Sequence, residues 1–95
     1  MLFRSEPPMN GISVKIQLVD EEPEVFPLKP RAIVEWESKF GKGMAKMLQE
    51  DQKFEQLYYL AWLLLRNNGK SPKPFGNEFL DTLESVELVT REDFE

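Results

Sequence analysis

Residues 52–67 read Gln52-Lys53-Phe54-Glu55-Gln56-Leu57-Tyr58-Tyr59-Leu60-Ala61-Trp62-Leu63-Leu64-Leu65-Arg66-Asn67 and contain the longest apolar run of this 95-residue chain. Apolar side chains recur along them at helical spacing, namely Phe54, Leu57, Tyr58, Ala61, Leu64 and Leu65. This period predicts a helix with a continuous apolar stripe. Further apolar residues lie off the stripe: Tyr59, Leu60, Trp62 and Leu63. The second half of the helix is therefore apolar on nearly every side.

The residues before this helix predict a β-hairpin over residues 12–28. Ile12, Val14, Ile16 and Leu18 alternate with polar residues, which is the period of a strand with one apolar face. An acidic turn follows at residues 20–24, and Pro27 restricts the returning strand to an edge or a bulge. Two strands alone are barely stable in water, so the hairpin needs a helix or another chain against its apolar face.

Two more helices are predicted between the hairpin and the central helix. The first begins near Pro30, places Ile33, Trp36 and Phe40 on one face, and ends at Gly41. We expect Trp36 and Phe40 to belong to the core. The second helix is one or two turns long, and its apolar residues are Met44, Met47 and Leu48.

After the central helix, the sequence predicts a stop, a linker and a final helix. Asn67-Asn68-Gly69 ends the central helix, and residues 70–74 form a linker with two prolines. The final helix is predicted over residues 75–86, with Phe75, Phe79, Leu80 and Leu83 directed inward. The expected organisation is a flexible arm at 1–10, one α+β domain at 11–87 and an acidic tail at 88–95. The expected fold class is thus α+β, an N-terminal β-hairpin followed by three or four helices.

The composition disfavours most chemistry. The chain has no histidine and no cysteine, which removes the usual general base, the commonest zinc ligands and any disulfide. Only carboxylates, lysine or tyrosine are left for an enzyme, and we expect neither catalysis nor a cofactor. The net charge of −5 disfavours nucleic acids and anionic membranes. No apolar segment approaches the roughly 20 residues of a spanning helix, and the first residues lack a secretion signal, so we expect a cytoplasmic protein.

Two short motifs resemble ligand sites. Residues 20–24 carry four acids, but they lack the glycine and the spaced carboxylates of an EF-hand calcium loop, so a solvated hairpin tip is the better interpretation. Gly41-Lys42-Gly43 follows a predicted helix and lacks the spacing of a phosphate-binding loop, so helix termination explains it better.

The central helix leaves two possibilities open. It is either a core helix covered on all sides by its own domain, or part of it forms a contact with another chain. Each large apolar side chain left uncovered forgoes roughly 1.5–3 kcal/mol of burial, which favours a partner. Tyr59 and Trp62, with Leu63 beside them, are the candidate residues for a homo-oligomer or partner contact, because tyrosine and tryptophan combine apolar area with a polar group.

The acidic residues are concentrated near the C-terminus. Residues 1–70 hold ten basic and ten acidic side chains, whereas residues 71–95 hold two basic and seven acidic ones. The candidate acidic binding residues are Asp81, Glu84, Glu87, Glu92 and Asp93, with Glu78 on the same predicted helix face. They either keep the surface solvated or guide a basic partner electrostatically.

Four segments together resemble a known family. They are LKPRAIVEWE at residues 28–37, EDQKFEQL at 50–57, LAWLLLR at 60–66 and FLDTLESVEL at 79–88. In this order, and over about residues 24–90, they resemble the tail assembly chaperones of long-tailed, siphovirus-type bacteriophages. These motifs are patterns of hydrophobic and acidic residues and not catalytic signatures.

The resemblance implies a helper in the host cytoplasm that is absent from the mature virion. Such proteins bind the tape measure protein, keep its apolar helices soluble and recruit major tail tube subunits. Many relatives also have a longer, frameshifted form, and this chain is similar to the short one. Family members often form homo-oligomers. The alternatives are a structural minor tail or head–tail connector protein of the virion, a small regulatory adaptor, and an enzyme with carboxylate chemistry.

Overall fold

A computed structural model describes residues 11–49 and 53–90 of the chain. Its elements, in chain order, are β1 (Ile12–Leu18), β2 (Glu24–Pro27), α1 (Pro30–Phe40), α2 (Met44–Gln49), α3 (Phe54–Asn67), α4 (Asn77–Thr82) and β3 (Leu83–Thr90). The fold is α+β, as the sequence predicts: an N-terminal hairpin, four helices, and a C-terminal strand that completes a sheet. None of the helices within the described residues is long and apolar enough to cross a membrane.

The three strands form an antiparallel sheet in the order β2-β1-β3. On β2, Phe26 lies opposite Val14, and on β3 Leu88 lies opposite the same residue. Ile16 is likewise paired with Val86. The alternation of β1 thus directs one apolar face of all three strands toward the helices.

Helix α3 lies at the centre of the core beneath this face. The largest fully buried side chains come from β1 and from all four helices. They are Trp36, Phe79, Met44, Met47, Leu60, Leu63, Leu64 and Val14. The core expectation for Trp36 is confirmed, because its side chain is fully buried and its Nε1 donates a hydrogen bond of 3.0 Å to the Gln56 carbonyl oxygen. Phe40 is half-buried and packs against this core. The apolar sheet face therefore receives the covering that a hairpin needs.

The predicted final helix over residues 75–86 is wrong beyond Thr82. Helix α4 covers only Asn77–Thr82, and the chain then continues as the eight-residue strand β3. Residues 88–90, expected in an acidic tail, belong to this strand, and residues 91–95 lie outside the described residues. The physical reason is pairing: Val86 and Leu88 cover Ile16 and Val14 on β1, a gain that a helix at this position could not provide.

Helix α1 begins and ends as its sequence predicts. Pro30 occupies its first turn, and Gly41 ends it in the left-handed conformation, with φ of 68°. The Gly41 N–H donates a 2.8 Å hydrogen bond to the Glu37 carbonyl oxygen. A β-carbon at Gly41 would meet nothing within 4 Å, so only the backbone conformation favours glycine there.

Replacing Gly41 with alanine should therefore lower the free energy of unfolding by about 1–2 kcal/mol, the cost of a left-handed conformation for a residue with a β-carbon. Gly41→Asn is the matched control, because asparagine tolerates this conformation and should lose less. Urea denaturation of the three proteins measures the difference. Equal stability of the alanine and glycine proteins would show that the left-handed conformation at position 41 does not require glycine.

Candidate functional site

On helix α3, the aliphatic and the aromatic side chains differ in burial. All its aliphatic side chains are buried: Leu57, Leu60, Ala61, Leu63, Leu64 and Leu65. Its aromatic side chains, Phe54, Tyr58, Tyr59 and Trp62, all retain solvent exposure, and we call these four the α3 aromatic face. Aliphatic groups thus form the core contact, whereas the surface of the helix is made of rings that combine apolar area with polar atoms.

The N-terminal end of the α3 aromatic face is the most exposed. The Phe54 side chain is 71% exposed, and its ring stacks on that of Tyr58 with 5.9 Å between centroids. Phe54 belongs to the apolar stripe that the sequence predicts, but it lies outside the core, whose contact with α3 begins at Leu57. An exposed phenylalanine stacked on a half-exposed tyrosine is an apolar surface that is open to a partner.

The C-terminal end of the face is partly covered by the chain itself. Residues 70–76, which we call the strap, return along α3, and Trp62 Nε1 donates a 2.7 Å hydrogen bond to the Lys73 carbonyl oxygen. The Phe75 ring packs against Tyr59 and Trp62, with centroid distances of 5.0 and 6.2 Å. Tyr59 and Trp62 are therefore half-buried, between the two possibilities that the sequence left open.

Two cations flank these rings. Lys39 Nζ lies 5.3 Å from the centroid of the Tyr59 ring, and the Arg66 guanidinium lies 5.0 Å from that of Trp62. Both distances fall within the range of cation–π attraction. The rim of the aromatic face thus carries two cations, of which Arg66 is also paired with Glu35, although the protein as a whole is acidic.

Glu35 ties α1 to the C-terminal end of α3. Asn67 Nδ2 donates a 3.1 Å hydrogen bond to Glu35 Oε1, and Arg66 Nη2 donates one of 2.8 Å to Oε2. Arg31 lies 3.7 Å from the same Oε2. The hydrogen bond from Asn67, together with the charges of Arg66 and Arg31, lowers the pKa of the Glu35 carboxyl below its ordinary value, while desolvation opposes the shift.

The remaining candidate binding residues are found in different environments. Leu63 is 1% exposed and belongs to the core, so its side chain has no surface to offer a partner. Asp81, Glu84 and Glu87 are exposed, but they do not share a helix face, because Asp81 lies in α4 whereas Glu84 and Glu87 lie in β3. Glu92 and Asp93 lie outside the described residues.

Asp81 lines a surface cavity of about 440 Å³ between the end of β1, the strap and α4. Its apolar floor consists of Leu18, Leu65 and Phe79, and Lys70 and Lys73 also line it. Lys70 Nζ lies 3.3 Å from Glu24 Oε1, so the strap is also tied to the acidic hairpin turn. Within residues 11–49 and 53–90, no group of three or more acidic side chains is placed to hold a metal ion.

The Glu35 network should make stability depend on pH. A carboxyl whose pKa is lower in the folded than in the unfolded protein stabilises the fold above the unfolded pKa, and this contribution disappears as the pH falls through the folded pKa. Glu35→Gln should thus cost about 0.5 kcal/mol at neutral pH, since the pairs are partly exposed, and nothing in strong acid. Urea denaturation at both pH values, with Glu55→Gln as the exposed control, measures this. A pH-independent difference would contradict it.

The hydrogen bond between Trp62 and Lys73 should hold the strap in place. Trp62→Phe keeps an aromatic ring but removes the donor, so we expect a loss of about 1 kcal/mol of stability and faster amide exchange in residues 70–76. Trp36→Phe is the matched control, because it removes the hydrogen bond from Trp36 to Gln56 and not the one that holds the strap. In this variant, amide exchange in residues 70–76 should not become faster than amide exchange in the core does. Unaltered exchange of the strap in Trp62→Phe would show that other contacts hold it.

No model of a known protein family, no curated protein and no solved structure matches this chain. Two surfaces are prominent: the α3 aromatic face, which Lys39 and Arg66 flank, and the acidic residues Glu84 and Glu87 on β3.

Proposed function

We propose that this protein is a tail assembly chaperone of a long-tailed bacteriophage, which acts in the host cytoplasm. It binds the tape measure protein while the tail is built and helps to recruit tail tube subunits. The resemblance of residues 24–90 to this family supports the proposal. The structural observation that supports it most is the α3 aromatic face, on which all four aromatic side chains of the central helix retain solvent exposure.

The α3 aromatic face has the chemistry required to hold apolar helices of another protein. Aromatic side chains are enriched at protein interfaces, and tyrosine and tryptophan are frequent among the few residues that carry most of the binding energy. Phe54 and Tyr58 lie one turn apart, as do Tyr59 and Trp62, so the rings follow the helix axis over more than two turns. A partner helix lying along this row would cover Phe54 and Tyr58, together with the parts of Tyr59 and Trp62 that the chain itself leaves exposed.

A binding role also agrees with what the chain lacks in its sequence. Without histidine or cysteine, the side chains most often used for acid–base and nucleophilic catalysis are missing. Lys39 and Arg66 lie against the rings, and because Arg66 is paired with Glu35, Lys39 is the cation that favours partner segments with carboxylates beside their apolar residues.

Co-expression with a tape measure protein tests the proposal. The wild-type chain should raise the soluble fraction of the tape measure protein and co-purify with it, whereas Phe54→Lys should weaken the complex about tenfold or more, as expected for an interfacial aromatic residue. Val34→Lys is the matched control, because Val34 is 60% exposed on α1 and lies off the aromatic face. Circular dichroism checks that both variants keep their helices.

Three results would contradict the proposal. The tape measure protein could stay insoluble with the wild-type chain, Val34→Lys could weaken the complex as much as Phe54→Lys, or the chain could be found in purified mature particles. The last result favours a structural minor tail or connector protein. Light scattering of the same variants shows whether the α3 aromatic face also joins copies of this chain.

A further inference from the structure

The two edges of the sheet differ in how well they are protected. Strand β2 has only four residues, and it carries Pro27, which has no N–H to donate. Strand β3 has eight residues and no proline. Within the described part of the chain, no strand pairs with the outer edge of β3.

The register identifies the groups at that outer edge. The Leu28 N–H bonds to the Ile12 carbonyl oxygen, so the backbone of Ile12, and of every second residue after it, faces β2. The intervening residues of β1 face β3, where Lys15 is paired with Glu87. The N–H and C=O groups of Glu87 therefore point toward β1, whereas those of Val86 and Leu88 point away from β1. We call these groups the open edge.

The side chains beside the open edge alternate in character. Val86 and Leu88 lie on the core face of the sheet and are only half-buried, so they have apolar surface left to cover. Glu87 is exposed on the opposite face, between Lys15 and the open edge. Glu84 is also exposed, at the register shift near the start of β3, where it has no partner on β1.

We propose that the open edge of β3 binds an extended segment of another protein as a fourth strand, and that this segment alternates apolar and basic residues. Apolar residues of the segment would cover Val86 and Leu88, and basic residues would lie beside Glu87 and Glu84. A second copy of this chain fits poorly, because pairing β3 with itself brings these glutamates together between two molecules of net charge −5. This surface is separate from the α3 aromatic face, and the proposal does not depend on a role in phage assembly.

The test uses a fluorescent eight-residue peptide in which valine and lysine alternate. It should bind the full-length protein in fluorescence anisotropy, and it should slow amide exchange of Val86 and Leu88 about tenfold or more, whereas Glu87, already bonded to β1, changes little. The same peptide with N-methyl groups on its valines keeps its charge, but the residues that lie opposite Val86 and Leu88 in an antiparallel pairing can no longer donate to β3, so it should not bind.

Two charge reversals provide the matched comparison. Glu84→Lys should weaken peptide binding about tenfold, since it replaces an attractive charge beside the added strand, while Glu78→Lys on α4 should have little effect. Both residues are exposed, so both variants should fold. Four results would overturn the proposal: no binding of the peptide, equal binding of the N-methylated peptide, equal loss in both variants, or protection of Val86 and Leu88 that rises with protein concentration alone.

Discussion

Strand β1 lies between β2 and β3, and its pairing with β3 joins residues that are about 70 positions apart in the sequence. The rest of the structure depends on this pairing. Without β3, the sheet is a two-stranded hairpin whose second strand is short, and such hairpins are barely stable in water. With β3, the sheet offers α3 a face wide enough to bury its aliphatic side chains, and the strap returns along α3 before the chain reaches α4 and β3.

The local elements that precede the strap can be predicted from the sequence, and β3 cannot. Alternation in β1, the proline that opens α1 and the glycine that ends it are signals within a few residues, and the structure confirms all three. Phe79, Leu83 and Val86, by contrast, also fit a helical period, and the alternating run Val86-Glu87-Leu88 is too short to distinguish strand from helix. The strand forms because it can pair with the apolar face of β1. That face is distant in sequence, so no local pattern around residues 83–90 can indicate it.

The same limit applies to the candidate site. Periodicity shows that α3 is apolar on nearly all sides, but for that reason it cannot show which sides are covered. Tyr59 and Trp62 could be identified by their chemistry, whereas the burial of Leu63 and the exposure of Phe54 depend on which sides of α3 the rest of the fold covers. The hydrogen bond from Trp62 to the Lys73 carbonyl oxygen has no sequence signal, because any residue at position 73 would supply that oxygen.

The distribution of charge gives the two surfaces different selectivity. On the α3 side, Lys39 and Arg66 lie against aromatic rings, so a partner there meets cations beside apolar area. On the β3 side, Glu84 and Glu87 accompany an edge of backbone donors and acceptors that would otherwise pair with any strand. Charged residues on an edge strand are a common protection against self-pairing, and that protection depends on like charges. It disfavours pairing with another copy of this acidic chain, and for the same reason it leaves the edge open to a basic strand.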